Sequence, residues 1–295
     1  MPKITKAVVA VAGSGTRFLP ITKTIPKEML PIVDKPIIEL VVEELVEAGI
    51  EDIIMVTRWD KKPLEDYFDN RAAWVLELKE AGKHEELEKA KAVSEKANFI
   101  YIRQKGPYGN GTPVLAAANL LGGAPFVYVW GDDLVKSDVS FTKQIIDVYL
   151  EQGHMVIGVQ EVPRETVDRY GIVKLRAGST QIEDIIEKPS PDEAPSQLAD
   201  FGRMILDGDM IDTLKTVPLG RGNELWMVDA IRRYIRNGGV FLAKEVEDGE
   251  WLTTGDPLSY LKAMLAYAFD RRDIRGDLAL YVQGFLCSRG VADPP

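Results

Sequence analysis

The chain has 295 residues, 45% of them hydrophobic, with 36 basic against 46 acidic side chains and a net charge of −10. That charge argues against a general nucleic-acid binder, and no apolar run approaches the roughly 20 residues of a membrane helix. The lone Cys287 cannot close an internal disulfide, and His84 and His154 lack metal-ligand spacing, which argues against thiol and zinc chemistry.

The first predicted element is a buried strand over the β-branched run Ala7 to Ala12. It ends in a turn where Gly13 and Gly15 bring backbone N–H groups toward a ligand, followed by the cations Arg17, Lys23 and Lys27. The segment satisfies neither the P-loop pattern nor the dinucleotide fingerprint, because Gly13-x-Gly15 is followed by Phe18. It still reads as a phosphate site, at the end of a first strand where open α/β sheets bind nucleotides. A helix from Ile37 to Ala48, a strand from Ile53 to Thr57 and a helix from about Pro63 continue a βαβ rhythm. Trp74 to Lys96 reads as helix with a solvated, charged face. A strand at Phe99 to Arg103, a helix at Pro113 to Leu121 and strands at Phe126 to Trp130, Val156 to Val162 and Ile172 to Leu175 follow. A loop at Gly220 to Gly222, a helix at Leu225 to Ile235 and a helix at Pro257 to Phe269 complete the pattern. Leu278 to Leu286 is a short apolar segment that either packs back on the core or serves an oligomer contact. Right-handed crossovers predict an α/β fold with a mostly parallel, mixed central sheet flanked by helices.

Three strand ends carry candidate chemistry. Gly131-Asp132-Asp133 places carboxylates where Mg²⁺ could bridge them to phosphate oxygens. Gln104 offers an amide for a base edge, and Gly109 and Gly111 let a ring approach the backbone. Glu187-Lys188 suits a sugar phosphate, the carboxylate accepting from hydroxyls and the ammonium meeting the phosphate, and Tyr170-Gly171 leaves room for the sugar ring.

The segment Ala12 to Asp34, with Gly13-x-Gly15-Thr16-Arg17, Leu19-Pro20, Lys23 and Ile25-Pro26-Lys27-Glu28-Met29-Leu30-Pro31, resembles the signature of the bacterial and archaeal UTP:glucose-1-phosphate uridylyltransferases. Phe68-Asp69, Arg103-Gln104, Gly109-x-Gly111, Asp132, Tyr170-Gly171, Glu187-Lys188-Pro189, Ala194-Pro195-Ser196, Gly202-Arg203 and Asp229-Ala230-Ile231 follow in that family's order, so the resemblance spans residues 4 to about 268. It implies a Rossmann-like nucleotidyltransferase fold of the glycosyltransferase-A-like kind. One catalytic domain would cover residues 1–270, with 271–295 as a C-terminal extension. It also implies a cytoplasmic, Mg²⁺-dependent enzyme, in keeping with an N-terminus that lacks the pattern of a signal peptide. Its partners would be UTP and glucose 1-phosphate, with no nucleic acid or membrane, and it could form a homo-oligomer. Carried over by position, Ala12 and Gly13 approach the nucleoside, Gln104 and Gly109 the uracil, and Arg17 and Lys27 the triphosphate. Asp132 binds the metal, and Gly171, Glu187 and Lys188 hold the glucose 1-phosphate. Gly15, Glu28 and Asp133 complete the expected substrate contacts.

The chain departs from the family at three places. Thr253 stands where an Asp commonly completes the magnesium site, so Asp133 or Asp256 compensates, water fills the position, or the metal binds less tightly. Gly109-Asn110-Gly111-Thr112-Pro113-Val114 replaces Gly-x-Gly-His-Ala-Val, and Trp226 replaces an amide. Two rival expectations follow: a thymidylyl or other sugar-1-phosphate transferase, and a weakly active or non-catalytic nucleotide-sugar-binding regulator.

Overall fold

The computed structural model describes residues 3–69 and 72–290. In its N-terminal half, β1 (Lys6–Ala10), the two-residue strands β2 (Pro31–Ile32) and β3 (Lys35–Pro36), α1 (Ile37–Glu47) and β4 (Asp52–Thr57) come first. They are followed by α2 (Lys62–Phe68), α3 (Ala72–Glu80), α4 (His84–Ser94), β5 (Asn98–Arg103), α5 (Thr112–Leu121) and β6 (Phe126–Trp130). The charged stretch predicted as helix is two helices, broken where Gly82 adopts a φ of 68°. Leu78 and Leu87 are its buried anchors, and most of the rest is solvated, as its charge pattern requires.

The second half runs β7 (Asp133–Ser137), α6 (Phe141–Gln152), β8 (Met155–Glu161), β9 (Gly171–Leu175), β10 (Ile182–Glu187), β11 (Leu198–Leu206) and α7 (Gly208–Thr216). Then come α8 (Met227–Arg236), β12 (Phe241–Glu245), β13 (Gly249–Thr253), α9 (Pro257–Asp270) and α10 (Arg275–Ser288). The central sheet has nine strands, in the order β10-β9-β11-β6-β1-β4-β5, with β8 joining β11 to β12. The parallel order expected from the βαβ rhythm holds through β6, β1, β4 and β5. Strand β11 reverses it, running antiparallel to β6, β8 and β9. Its register slips between Asp200 and Met204, where Gly202 has a φ of 74° and the Trp130 ring occupies the space a side chain would need.

The sheet is buried on both faces because its strands are apolar at successive positions. Val9, Ile53 and Met55 pack with Ile38, Val41 and Leu45 of α1, and Val8, Ile54 and Val56 with Val114 and Ala117 of α5. Each of these Val, Ile, Leu and Met side chains contributes roughly 1.5–3 kcal/mol on burial. A buried ion pair crosses the first of these layers, with the Arg203 guanidinium donating to Glu44 at 2.8 Å. Arg203 also donates to the carbonyl of Asp133 at 2.7 Å, so the pair pins the chain just after β6.

The C-terminal apolar segment is helix α10, lying against α9. It contributes nothing to the core: none of its residues is buried, and Leu280 and Tyr281 are 70% and 69% exposed. Among the described residues no helix is long and apolar enough to cross a membrane.

Candidate active site

The loop after β1 enters a single-turn helix at Thr16–Phe18, and a later short turn, Lys27–Met29, brings Lys27 and Glu28 back beneath it. These two turns, the loop after β5, the β6–β7 turn and the ends of β9, β10 and β13 enclose a cleft of 390 Å³. Ala12, Gly13, Arg17, Lys27 and Glu28 line one side, Gln104 and Gly109 another, and Asp132 and Asp133 the floor. Gly171, Glu187 and Lys188 close the far end. The sequence-predicted residues therefore converge on one cavity, apart from Lys23, which is exposed outside the lining, Gly111, whose Cβ space is taken by the Leu214 and Leu225 side chains, and Gly15. Gly15 lies outside the lining, with a φ of 65° and a carbonyl that accepts from the Thr22 hydroxyl at 2.8 Å, so it shapes the turn instead.

Charge is arranged in pairs across the floor. The Lys27 ammonium contacts the Asp132 carboxylate. Burial works against both charged forms, but the mutual attraction outweighs it, leaving Lys27 above the ordinary lysine range and Asp132 below the usual carboxylate range. Behind them Lys61 donates to both oxygens of Glu28 at 2.7 Å, with both side chains almost wholly buried. Burial pulls Lys61 below the ordinary lysine range even with Glu28 against it. Asp133 behaves differently from its neighbour: burial, then the charge of Asp132, pushes it up to about 7, while the Trp251 and Thr253 side chains pull it back. The Trp251 indole donates to Asp133 at 2.8 Å.

Thr253 lies directly across the β7–β13 ladder from Asp133 and lines the cleft, so the position at which the resemblance leads us to expect a second metal carboxylate carries a hydroxyl. Asp256 does not stand in for it. Its oxygens cap α9, accepting from the amides of Leu258 and Ser259 and from the Ser259 hydroxyl, and it is not part of the cleft lining. Among the described residues no group of three or more His, Cys, Asp or Glu could hold a metal ion. What remains is one ionised carboxylate, Asp132, beside Asp133. That set fits Mg²⁺, which is commonly held by one or two carboxylates together with substrate phosphates and water.

Glycine at 109 has a backbone cause besides the one read in the sequence. With a φ of 119°, its Cβ would lie 2.2 Å from the Leu225 carbonyl, so the space is taken by backbone. Leu225 N–H donates to the Tyr108 carbonyl at 2.8 Å and Gly111 N–H to the Leu225 carbonyl at 2.9 Å, clamping this loop to the start of α8. At the far end, Gly171 opens β9 directly opposite Glu187, the last residue of β10. A Cβ on Gly171 would approach the Glu187 carboxylate at 3.6 Å. Lys188 has a φ of 46°, a left-handed conformation that costs a non-glycine residue about 1–2 kcal/mol.

Several wall residues were not singled out from sequence. Tyr108, Trp130, Arg169 and Trp251 have no local signature, and their place follows only from folding; nor does Lys61, which lies behind the wall against Glu28. Arg17 also donates to the Gly255 carbonyl at 3.2 Å, tying the first loop to the segment after β13.

The chain matches the nucleotidyl transferase family over residues 6–269. It is 42% identical over 284 residues to the UTP–glucose-1-phosphate uridylyltransferase YngB of Bacillus subtilis, covering 95% of both chains. Its fold superposes on the UTP-bound UGPase from Acinetobacter baumannii with a TM-score of 0.87 at 35% identity, covering 95% of this chain and 99% of that one. A UDP-glucose pyrophosphorylase solved in complex with UDP-glucose gives 0.81 at 38% identity, covering 91% of this chain and 100% of that one. The shared sheet, the cleft at its strand ends and these likenesses lead to one conclusion: the chain belongs to the nucleotidyl transferase family, in its UTP–glucose-1-phosphate uridylyltransferase branch.

Proposed function

We propose that the chain transfers UMP from UTP to glucose 1-phosphate, releasing pyrophosphate and forming UDP-glucose. The observation that carries this reading is the pairing of Lys27 with Asp132 on the floor of a cleft whose far wall is Glu187 and Lys188. The two ends of the cleft suit a triphosphate and a sugar phosphate, and the relatives named above act on or bind UTP or UDP-glucose.

In this reading Ala12 and Gly13 present backbone to the nucleoside, and Gln104 and Gly109 face the uracil. Arg17 and Lys27 neutralise the triphosphate, and Glu28 holds Lys27 in a field of fixed sign. Gly171 leaves room for the sugar, Glu187 accepts from its hydroxyls, and Lys188 meets its phosphate. The phosphate oxygen then attacks the α-phosphorus in line, and pyrophosphate leaves from the opposite side. That nucleophile is already ionised at neutral pH, so alignment and charge neutralisation supply the acceleration and no protein nucleophile is required. Asp132 would hold Mg²⁺, with Asp133 next to it, and the bound ion would neutralise charge on the phosphates.

We also read residues 1–270 as one catalytic domain, supported by a family match that ends at residue 269. The extension from 271, described as far as residue 290, is then a contact element of a homo-oligomer, supported by the exposed apolar side chains of α10. A cytoplasmic location fits substrates that are multiply charged anions and cross no bilayer unaided.

Pyrophosphate release from UTP, dTTP, ATP, CTP and GTP, each paired with glucose 1-phosphate or galactose 1-phosphate in Mg²⁺, tests the reading. Turnover confined largely to UTP with glucose 1-phosphate is expected. Preference for dTTP would favour the thymidylyl alternative, and UDP-glucose binding without turnover the non-catalytic one.

A further inference from the structure

We infer that Trp226 is a positioning residue for Lys188, holding its ammonium at the sugar-phosphate end of the cleft. The inference rests on the assignment of the sugar phosphate to Lys188. Successive side chains of a strand point to opposite faces, so Glu187 and Lys188 should diverge. They do not, because β10 ends at Glu187 and the positive φ of Lys188 turns its side chain back, so that both residues line the same cleft. The Lys188 ammonium then sits 2.9 Å from the Glu187 carboxylate and 4.6 Å from the centre of the Trp226 ring. An ammonium over an indole face is attracted by the ring quadrupole, most strongly where water is partly excluded.

The indole is itself fixed. Its N–H donates to the Arg221 carbonyl at 2.9 Å, and the loop beneath it is closed by the Gly220 amide donating to the Glu224 carbonyl at 2.8 Å. Trp226 is half-buried and lines the cleft, so it is not the core residue that its place at the start of an amphipathic helix suggests. Beyond it lies a second cavity of 640 Å³, which shares Glu187, Lys188, Glu224 and Trp226 with the cleft and adds Asp168. Lys188 and Trp226 together form the partition. Without the ring, a long lysine side chain is free to swing outward toward Asp168 and Glu224, and substrate binding must then recover the lost order. The consequence is a binding defect confined to one substrate.

Steady-state kinetics of Trp226→Leu and Trp226→Phe test this, with Lys188→Gln as the reference. Turnover by the wild type, with Lys188→Gln raising KM for glucose 1-phosphate, establishes the underlying assignment independently of the Trp226 result. Trp226→Leu keeps apolar bulk and loses the π face. It should raise KM for glucose 1-phosphate about tenfold, equivalent to about 1.4 kcal/mol, with kcat and KM for UTP within about twofold of wild type. Trp226→Phe should stay within about threefold, and adding Trp226→Leu to Lys188→Gln should change KM for glucose 1-phosphate no further. An unaltered KM in Trp226→Leu, an equal rise in KM for UTP, or a full additional loss in the double variant overturns the inference. If the Leu variant does not fold, Trp226→Gln, which also lacks a ring face, takes its place, and an unaltered KM for glucose 1-phosphate there overturns the inference.

Discussion

Replacing Lys61 by Met exposes how the cleft floor is held. The variant keeps the length and apolar stem of the side chain and removes only the cation. Glu28 is 0% exposed and Lys61 4%, and two hydrogen bonds of 2.7 Å join them, so the loss leaves a carboxylate with neither water nor partner. Breaking a buried pair from one side typically costs about 3–5 kcal/mol, because the orphaned charge keeps its desolvation penalty. Urea unfolding followed by circular dichroism should show a loss of that size, with a fall in melting temperature on the order of 10 °C. The double variant Glu28→Leu/Lys61→Met removes both charges and should recover at least roughly 2 kcal/mol of the loss, since an apolar pair of similar volume is often neutral. A single variant within about 1 kcal/mol of wild type, or a double variant no better than the single, would show that the pair is not a buried electrostatic unit.

Three further outcomes follow from the same geometry. Asp132→Asn should lower kcat by roughly 10²–10³-fold in the pyrophosphate-release assay, and an unchanged rate refutes its place at the reacting phosphates. Asp200 is fully buried and pushed up to about 8, so the native state holds a proton that the unfolded chain releases near 3.8. Stability should therefore fall as pH rises between those values, by roughly 1.4 kcal/mol per unit from this group, and level off above pH 8. Asp200→Asn should flatten that slope in urea unfolding from pH 5 to 9, and identical slopes in the two proteins contradict the assignment. Thr253→Asp should melt lower than wild type in chelator and gain more from added Mg²⁺ in a thermal-shift titration, and no difference in the Mg²⁺ response argues against metal binding at this ladder position.

Much of the wall of the cleft is readable in the sequence because it is local. Lys27 and Glu28 follow the first glycine turn within one irregular segment, and Asp132 and Lys188 sit at ends of strands whose apolar runs mark them. The parallel strands could be read for the same reason, since β1, β4 and β6 are buried on both faces and bounded by clear turns. Strands β7 and β13 have no sequence signal because each mixes charged and polar residues with its few apolar positions, unlike the apolar runs of β1 and β6. Their pairing, which brings Thr253 to Asp133, is a contact between segments more than a hundred residues apart and has no local signal. Helix α6 had a signal that went unread: Ser140 caps it, accepting from the Lys143 amide at 3.4 Å. Lys61 and Arg203 were beyond reach, because nothing in a single sequence distinguishes a buried cation from a solvated one before its partner is placed.

The hydroxyl at position 253 becomes intelligible once that ladder is known. Residues facing each other across antiparallel strands have Cβ atoms about 5 Å apart, and like charges directly opposite are destabilising. Asp133 already sits beside the ionised Asp132 and away from water, which is why its carboxyl is displaced upward. A carboxylate at 253 would add a third negative group to a floor on which Lys27 is occupied by Asp132 and Lys61 by Glu28. Thr253 adds none, and with the Trp251 indole it eases the ionisation of Asp133 instead of opposing it. Thr253 thus keeps the charges on the floor balanced, with the cations Arg17 and Lys188 lining the cleft beyond it.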